Sequence, residues 1–391
     1  MPANLLNQPL TLPCGAVLKN RLFKAAMSDA LGDGAGNATQ AQAALYEQWA
    51  RGGIALSIIG EVQVDPKYPE RPGNLVLDSS RDLGALRQLT QRATTDNTHI
   101  WAQLGHAGAL AHKPVSEPAG PSALDLAELK SRALSLTEIA ALPGQFAAAA
   151  VLARECGFSG VQIHAAHGFL LGQFLSPLFN HRSDRYAGSI EARYRLIGEI
   201  ITAVRSAVGS DFPIGIKLNS SDLLEGGLQQ HEALDVIKLL AKSSVDLIEI
   251  SGGTYFPGAV ASSDSAAHEV YFSEFARKAK TLTQIPIALT GGIKTLHSAQ
   301  QTITQSADML GLARALVLSP QLAHHWLNNE AINPRFPRFD TPAAGAVTAW
   351  YSMQIAALAE GKHLDIDAAS ALELYEARDE IRNIRWREAF H

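Results

Sequence analysis

Two periods alternate along this chain. Short Val/Ile/Leu-rich runs, apolar at every second position, are followed by longer stretches with apolar residues three and four apart, and the exchange repeats eight times. The runs predict strands over residues 21–27, 54–62, 99–104, 161–165, 213–219, 246–251, 285–290 and 309–313. The stretches between and after them predict helices over 40–51, 80–96, 137–156, 189–208, 229–243, 268–283, 296–305 and 320–328. Gly52 and Gly53 stop the first helix, Leu83, Leu86 and Leu89 give the second its apolar face, and Thr137 is the expected cap of the third, with Glu138 in its first turn. A hairpin over 10–19, turning at 13–15, precedes the first strand. Eight strand–helix units of this kind predict an α/β fold, a (β/α)8 TIM barrel with an N-terminal hairpin and a C-terminal helical extension. The competing architecture is an open doubly wound sheet, but no G-x-G-x-x-G follows the first strand.

Two segments stand outside the repeat. Residues 105–136 form a long Pro-, Ala-, Gly- and Ser-rich excursion, and loops of that length usually carry function or cover a site. Residues 329–391 add a polar linker and helices at about 344–359 and 368–384. Trp350, Tyr351, Tyr375 and Trp386 in this segment imply packing on the barrel or on another subunit. The expected division is therefore a barrel domain over 1–328 and an extension over 329–391.

Composition narrows the class. A chain of 391 residues that is 47% hydrophobic can fill a large core. A net charge of -5 with scattered basic residues gives no footprint for nucleic acid. Only Cys14 and Cys156 occur, so a reducing compartment is expected. No basic segment followed by an apolar run opens the chain, and no apolar run is expected to reach the ~20 residues of a membrane span. These features predict a cytoplasmic enzyme acting on a small molecule, with no membrane partner, and with homo-oligomerisation open.

Strand parity singles out candidate chemistry. In residues 161–165, Val161 and Ile163 face one way and Gln162 and His164 the other, with His167 just past the strand end. By the same reasoning Gln103, Lys217 and Asn219 point into the barrel. Ile54, Leu56 and Ile58 are read as outward, leaving Glu61 at the inward top of the second strand. Amide, imidazole and ammonium at one depth need partners, because an unpaired buried polar group costs about 1–3 kcal/mol. They either serve a ligand or bond one another as a structural polar layer. Zinc is the lesser alternative for the histidines, since no third ligand lies at a fitting spacing. Gly252 and Gly253, Gly291 and Gly292, and Gly311 with Arg314 follow the last three strands, where barrels commonly bind phosphate.

The sequence His164-Ala-Ala-His-Gly-Phe-Leu, followed by Gln173-Phe-Leu-Ser-Pro and Asn180-His-Arg-Ser-Asp-Arg-Tyr-Ala-Gly, closely resembles the signature of the old yellow enzyme family, NAD(P)H:flavin oxidoreductases. The likeness covers most of the chain, including Leu18-Lys-Asn-Arg-Leu-Phe, Trp101-Ala-Gln-Leu, Leu247-Ile-Glu-Ile-Ser-Gly-Gly, Leu289-Thr-Gly-Gly-Ile and Gly311-Leu-Ala-Arg. Lys217-Leu-Asn-Ser-Ser-Asp resembles a branch with Lys where other members carry Arg. The resemblance implies FMN bound at the barrel mouth and NADPH or NADH as reductant. Ala25, Ala26, Met27 and Ser28 would line the flavin. Gln103 and Lys217 would bond its pyrimidine edge, and Gly291, Gly292, Ala313 and Arg314 its phosphate. Glu61 and Gly252 complete the expected cofactor-binding set. His164 and His167 would donate to the carbonyl oxygen of an activated alkene, with Phe169 against the substrate, while hydride passes from flavin N5 to the β-carbon in a ping-pong cycle.

Three positions depart from the pattern. Phe169 stands where the family commonly has a proton-donating tyrosine, Ala187 where glycine is usual, and Ser28 where one branch has a flavin-tuning cysteine. General acid assistance is typically worth 10²–10⁴-fold. Alkene reduction is therefore expected to be slowed, or served by water or by Tyr68, Tyr255 or Tyr271. Asp29 has no assigned role. Three functions compete: an ene-reductase; a flavin reductase or oxidase passing electrons to quinones, nitro compounds or oxygen, which needs no such tyrosine; and, more distantly, a flavin-binding protein without turnover or a phosphosugar barrel. The residues after Gly105 and over 255–265 are expected to shape the substrate site.

Overall fold

The structure, a computed structural model, describes residues 4–259 and 270–391. Eight parallel strands close into a barrel: β1 (Leu22–Lys24), β2 (Leu56–Gln63), β3 (His99–Gly105), β4 (Gly160–Ala165), β5 (Ile214–Asn219), β6 (Leu247–Ser251), β7 (Ile287–Thr290) and β8 (Met309–Leu312). Each pairs with the next, and β8 pairs with β1 to complete the ring. Around it lie α1 (Gln40–Arg51), α2 (Leu83–Ala93), α3 (Leu136–Glu155), α4 (Ile190–Val208), α5 (Gln230–Leu240), α6 (Ser273–Lys280), α7 (Leu296–Gln305) and α8 (Leu322–Leu327). The hairpin pairs Leu10 with Leu18 and closes the barrel bottom, where Leu12 and Leu18 pack on Phe23 and Trp101.

The two parities are cleanly separated. Ile100, Ala102, Val161, Ile163, Ile214, Ile216, Ile248 and Ile287 join the outer core beneath the helices. Phe23, Leu56, Ile58, Trp101, Leu247, Ala288 and Met309 fill the lower barrel. This corrects the reading of β2: Leu56 and Ile58 point inward. Ile58 pairs with Trp101 and Ile59 with Ala102, but Val62 then pairs with Leu104, so a bulge sets Gly60 and Glu61 together opposite Gln103. Glu61 reaches the inner face because of that bulge, not by the simple alternation.

Glycine fits where the interior is tight. A Cβ at Gly160 would lie 2.4 Å from Trp101 Nε1, and one at Gly311 only 1.9 Å from Thr290 Oγ1 and 2.7 Å from the Phe23 ring. Gly311→Ala is expected to lower unfolding stability by roughly 1–3 kcal/mol. Equilibrium denaturation measures this, and an unchanged midpoint would contradict the packing described.

The helix α3 starts one residue earlier than expected. Ser135, not Thr137, is the N-cap, because its hydroxyl accepts from Glu138 N while Glu138 reaches back to Ser135 N. Alanine-rich α3 also corrects the hydropathy expectation, being 20 residues long with a mean hydropathy of 1.4, enough by length and composition to cross a membrane. It nonetheless buries Ile139, Leu142, Phe146, Ala149 and Ala153 in the barrel's outer core. The excursion over 105–136 is not structureless, holding a small sheet of Ala119–Gly120, Leu124–Asp125 and Lys130–Ala133. The sixth helix is shorter than its predicted span, whose first two residues, 268 and 269, lie outside the described ones.

The C-terminal extension forms α9 (Ala346–Ala359) and α10 (Ala368–Phe390), the latter six residues longer than predicted. It packs on the barrel of its own chain. Trp386 Nε1 donates to Pro66 O at 3.0 Å, Arg387 Nη2 to Pro114 O at 2.7 Å, and His112 Nε2 meets Asn383 Oδ1 at 3.0 Å.

Candidate active site

One cavity of about 750 Å³ opens at the C-terminal end of the strands. Its wall includes Ala26, Met27, Ser28, Glu61, Gln103, His164, His167, Phe169, Lys217, Gly252, Gly291, Gly292, Ala313 and Arg314. Fourteen of the fifteen residues expected to bind cofactor or substrate thus share one space. The exception is Ala25, which is fully buried in the lower barrel and whose N–H donates to Leu312 O at 2.9 Å. It turns inward below the floor because it continues the parity of Phe23. Asp29 is structural: Gln42 Nε2 and Tyr46 Oη donate to it at 2.9 Å each.

The floor is a hydrogen-bonded chain running around the barrel. Gln103 Nε2 donates to Gln162 Oε1 at 2.7 Å, and Gln162 Nε2 to Glu249 Oε2 at 2.7 Å. Glu249 Oε1 accepts from Thr290 Oγ1 at 2.7 Å and pairs with Lys217 Nζ at 3.0 Å. The polar layer considered from sequence therefore exists, and it is also the floor of the cavity. Glu249, the acid that holds it together, was missed. The alternation in Leu247-Ile-Glu-Ile-Ser251 carried the signal, since Glu249 sits at the inward parity. Ser251, also missed, follows from the same alternation.

Above the floor stand the two imidazoles, their ring centroids 5.2 Å apart and nearly perpendicular. His164 Nδ1 accepts from Ala166 N at 3.2 Å, which leaves the ring proton on Nε2, 3.3 Å from Glu61 Oε1. His167 has a left-handed backbone (φ +60) fixed by its N–H donating to Asn219 Oδ1 at 3.0 Å, and its Nε2 lies 2.8 Å from Ser251 Oγ. Burial holds both rings neutral. It pushes the His167 pKa down to about 3 with help from Lys217, and depresses His164 strongly, with His167 and Lys217 adding to the effect. Burial also pushes Glu61 up to about 8, reinforced by the Glu70 charge. Neutral imidazoles suit hydrogen-bond donation to a substrate oxygen better than proton release.

At the rim Ser28 Oγ donates to Glu70 Oε2 at 2.9 Å, and Asn74 Nδ2 donates to Ser28 Oγ at 3.1 Å. Phe169 packs on His164 with centroids 5.1 Å apart and on Tyr255 at 5.9 Å. Of the tyrosines named as alternative donors, Tyr255 and Tyr271 line the cavity. Tyr68 does not: its ring stacks on His106 at 4.4 Å and its hydroxyl accepts from Arg132 Nη2 at 2.8 Å. Tyr351 and Tyr375, from α9 and α10, also line the cavity. The guanidinium of Arg314 lies 4.8 Å over the Tyr351 ring. Among the described residues no group of three or more His, Cys, Asp or Glu converges as a metal site.

The residues fit a planar anionic cofactor with a phosphate tail. An ammonium, an amide and two imidazoles face one space, with a guanidinium and glycine turns at its far end. A Cβ at Gly252 would lie 2.7 Å from the Phe272 ring and one at Gly291 3.2 Å from Tyr271, so these glycines keep the wall open. Barrel and mouth together define a flavin-binding oxidoreductase. Residues 6–331 match the NADH:flavin oxidoreductase / NADH oxidase family, and the chain belongs to it. Its FMN and nicotinamide reductant follow from that membership.

The chain is 33% identical to NADH-dependent flavin oxidoreductase iliE of Hypocrea jecorina (strain QM6a), covering 91% of this chain and 97% of that protein. It is 31% identical to an NADH oxidase of Thermoanaerobacter brockii over 78% of this chain, but spans only 48% of that protein. An old yellow enzyme homologue from Zymomonas mobilis has the same fold, with a TM-score of 0.73 and 23% identity, covering 86% of this chain and 95% of that one.

Proposed function

We propose that the protein reduces activated alkenes, α,β-unsaturated carbonyls above all, with residues 1–328 as the FMN-binding barrel and 329–391 as an extension that roofs the site. The observation that carries this is the pair of neutral imidazoles facing one cavity with Lys217 and Gln103 on its floor. FMN, once bound, would supply the hydride chemistry, with NADH or NADPH as its reductant.

The chain's own residues do the rest. His164 Nε2–H donates to the substrate carbonyl oxygen. Ser251 donating to His167 Nε2 places that ring's proton on Nδ1 for a second donation. These bonds draw electron density from the alkene. Lys217 and Gln103 bind the pyrimidine edge, and Lys217 balances the charge that reduction places there. Arg314, Gly291, Gly292 and Ala313 hold the phosphate. The two unpaired cysteines, Cys14 and Cys156, support a cytoplasmic setting.

Phe169 is the residue that favours a second reading, electron transfer to quinones, nitro compounds or oxygen, and the relative named NADH oxidase supports it. Burial pushes Tyr351 up to about 12 and raises Tyr375 further, so neither is a ready acid. Anaerobic bleaching of the flavin by NADH or NADPH, followed by cyclohexenone or menadione, separates the readings. Phe169→Tyr is expected to speed reoxidation by cyclohexenone about 10²-fold or more while leaving menadione unaffected. An equal response to both acceptors, or none, would contradict this role for position 169.

A further inference from the structure

α10 docks on the barrel through Ala371, Tyr375, Asp379 and Trp386. Its opposite face is also apolar. Leu374, Ile381 and Ile384 are 48%, 57% and 56% exposed, and Ala377 between them is exposed too. The intervals of three, four and three residues put all four on one straight seam of the coiled-coil type. Single exposed apolar side chains are ordinary, but a continuous line on the outward face of a docked helix marks an interaction surface.

We infer that this seam joins two copies of the chain, α10 against α10, side by side in parallel about a two-fold axis. The flanking charges select both the partner and the direction. With Leu374 and Ile381 at the first core position and Ala377 and Ile384 at the second, exposed Glu380 flanks one edge and exposed Arg385 the other, while the Arg378 guanidinium turns inward, 5.3 Å over the Tyr375 ring. In a parallel pair, each acidic edge position meets the basic one five residues further along the other helix. Glu380 then faces Arg385, twice over by symmetry. An antiparallel pair would set glutamate against glutamate and arginine against arginine.

Among the described residues Glu380 has no ion pair within its own chain, and Arg385 donates only to the Asp33 carbonyl. The seam is about 15 Å long, so the helix pair alone buries less than the ~1,200 Å² of a standard interface. A dimer dissociating in the micromolar range is expected. Tyr375, on the docked side of the same helix, lines the cavity, so pairing would brace one wall of the site.

Sedimentation velocity of the flavin-loaded protein across a concentration series tests the proposal. The wild type is expected to pass from monomer to dimer, and Ile381→Glu with Ile384→Glu to stay monomeric with its visible flavin spectrum unchanged. Glu380→Arg is expected to weaken the dimer, and adding Arg385→Glu to restore it. In a Cys14→Ser background, Ile384→Cys is expected to cross-link to itself on mild oxidation, since a parallel two-fold pair sets position 384 against its own copy. A wild type that is monomeric at every concentration, a dimer that survives both glutamates, or failure of the second charge reversal to restore pairing would each overturn the proposal. None of these outcomes depends on which acceptor the enzyme reduces.

Discussion

Replacing Lys217 with methionine is expected to cost about 3–5 kcal/mol of unfolding stability, the usual penalty for leaving one member of a buried ion pair without its partner. Lys217 and Glu249 are 2% and 0% exposed, with Nζ and Oε1 3.0 Å apart. In the variant, Glu249 would keep its bonds from Gln162 and Thr290 but lose the countercharge that makes a carboxylate tolerable at that depth. Adding Glu249→Gln is expected to recover most of the loss, because the amide oxygen can still accept from Thr290 and no charge remains. Chemical denaturation of the single and double variants decides the matter. A Lys217→Met protein as stable as wild type, or a double variant no better than the single, would show that the pair is not what holds the floor. Flavin retention should fall in both variants, since neither offers an ammonium at the cavity.

Stability should also drop steeply on mild acidification. Burial holds His106 down to about 3, His112 to about 4 with Arg71 adding to it, and His167 to about 3, while His164 is strongly depressed as well. In the unfolded chain each takes up a proton near the ordinary 6.5. Below that value the unfolded state binds more protons, so the stability held by these neutral rings is complete above about 6.5 and is lost as pH falls toward their folded values. Glu61, pushed up to about 8, has the opposite sign. Between 4.5 and 8 the folded protein holds a proton there that the unfolded chain does not, which offsets one histidine.

Four rings less one carboxyl leave a net uptake of about three protons on unfolding near pH 5. At roughly 2 kcal/mol each between pH 6.5 and 5, the loss is on the order of 6 kcal/mol. Denaturation midpoints measured from pH 7.5 to 5.0 report it directly. A flat profile would mean that these rings are not held neutral.

The eight strands were legible as short Val/Ile/Leu-rich runs set between stretches of helical spacing, and the paired glycines and His164 to His167 fell at strand ends where barrels place their chemistry. β2 misled because its face is set by a bulge. Two residues there oppose Gln103, and that depends on the register against β3, which no local pattern in residues 54–62 encodes. Ala25 was assigned to the cofactor along with its neighbours, yet one step along an inward-facing strand separates the cavity wall from the core beneath it. Glu249 was readable by the parity rule that found Lys217. Tyr351 and Tyr375 were not, since they reach the cavity only after the chain has gone around the barrel and folded back over its mouth.

The misregister in β2 also bears on how this gene could be altered. Removing the codon for Gly60 would leave a single residue opposite Gln103. Ile59 would still face outward, Glu61 would take the inward place by plain alternation, and Val62 would stay opposite Leu104. The strand therefore has one place where its length can drop by a residue without reversing the side chains that follow, whereas the same loss at Ile58 would reverse them.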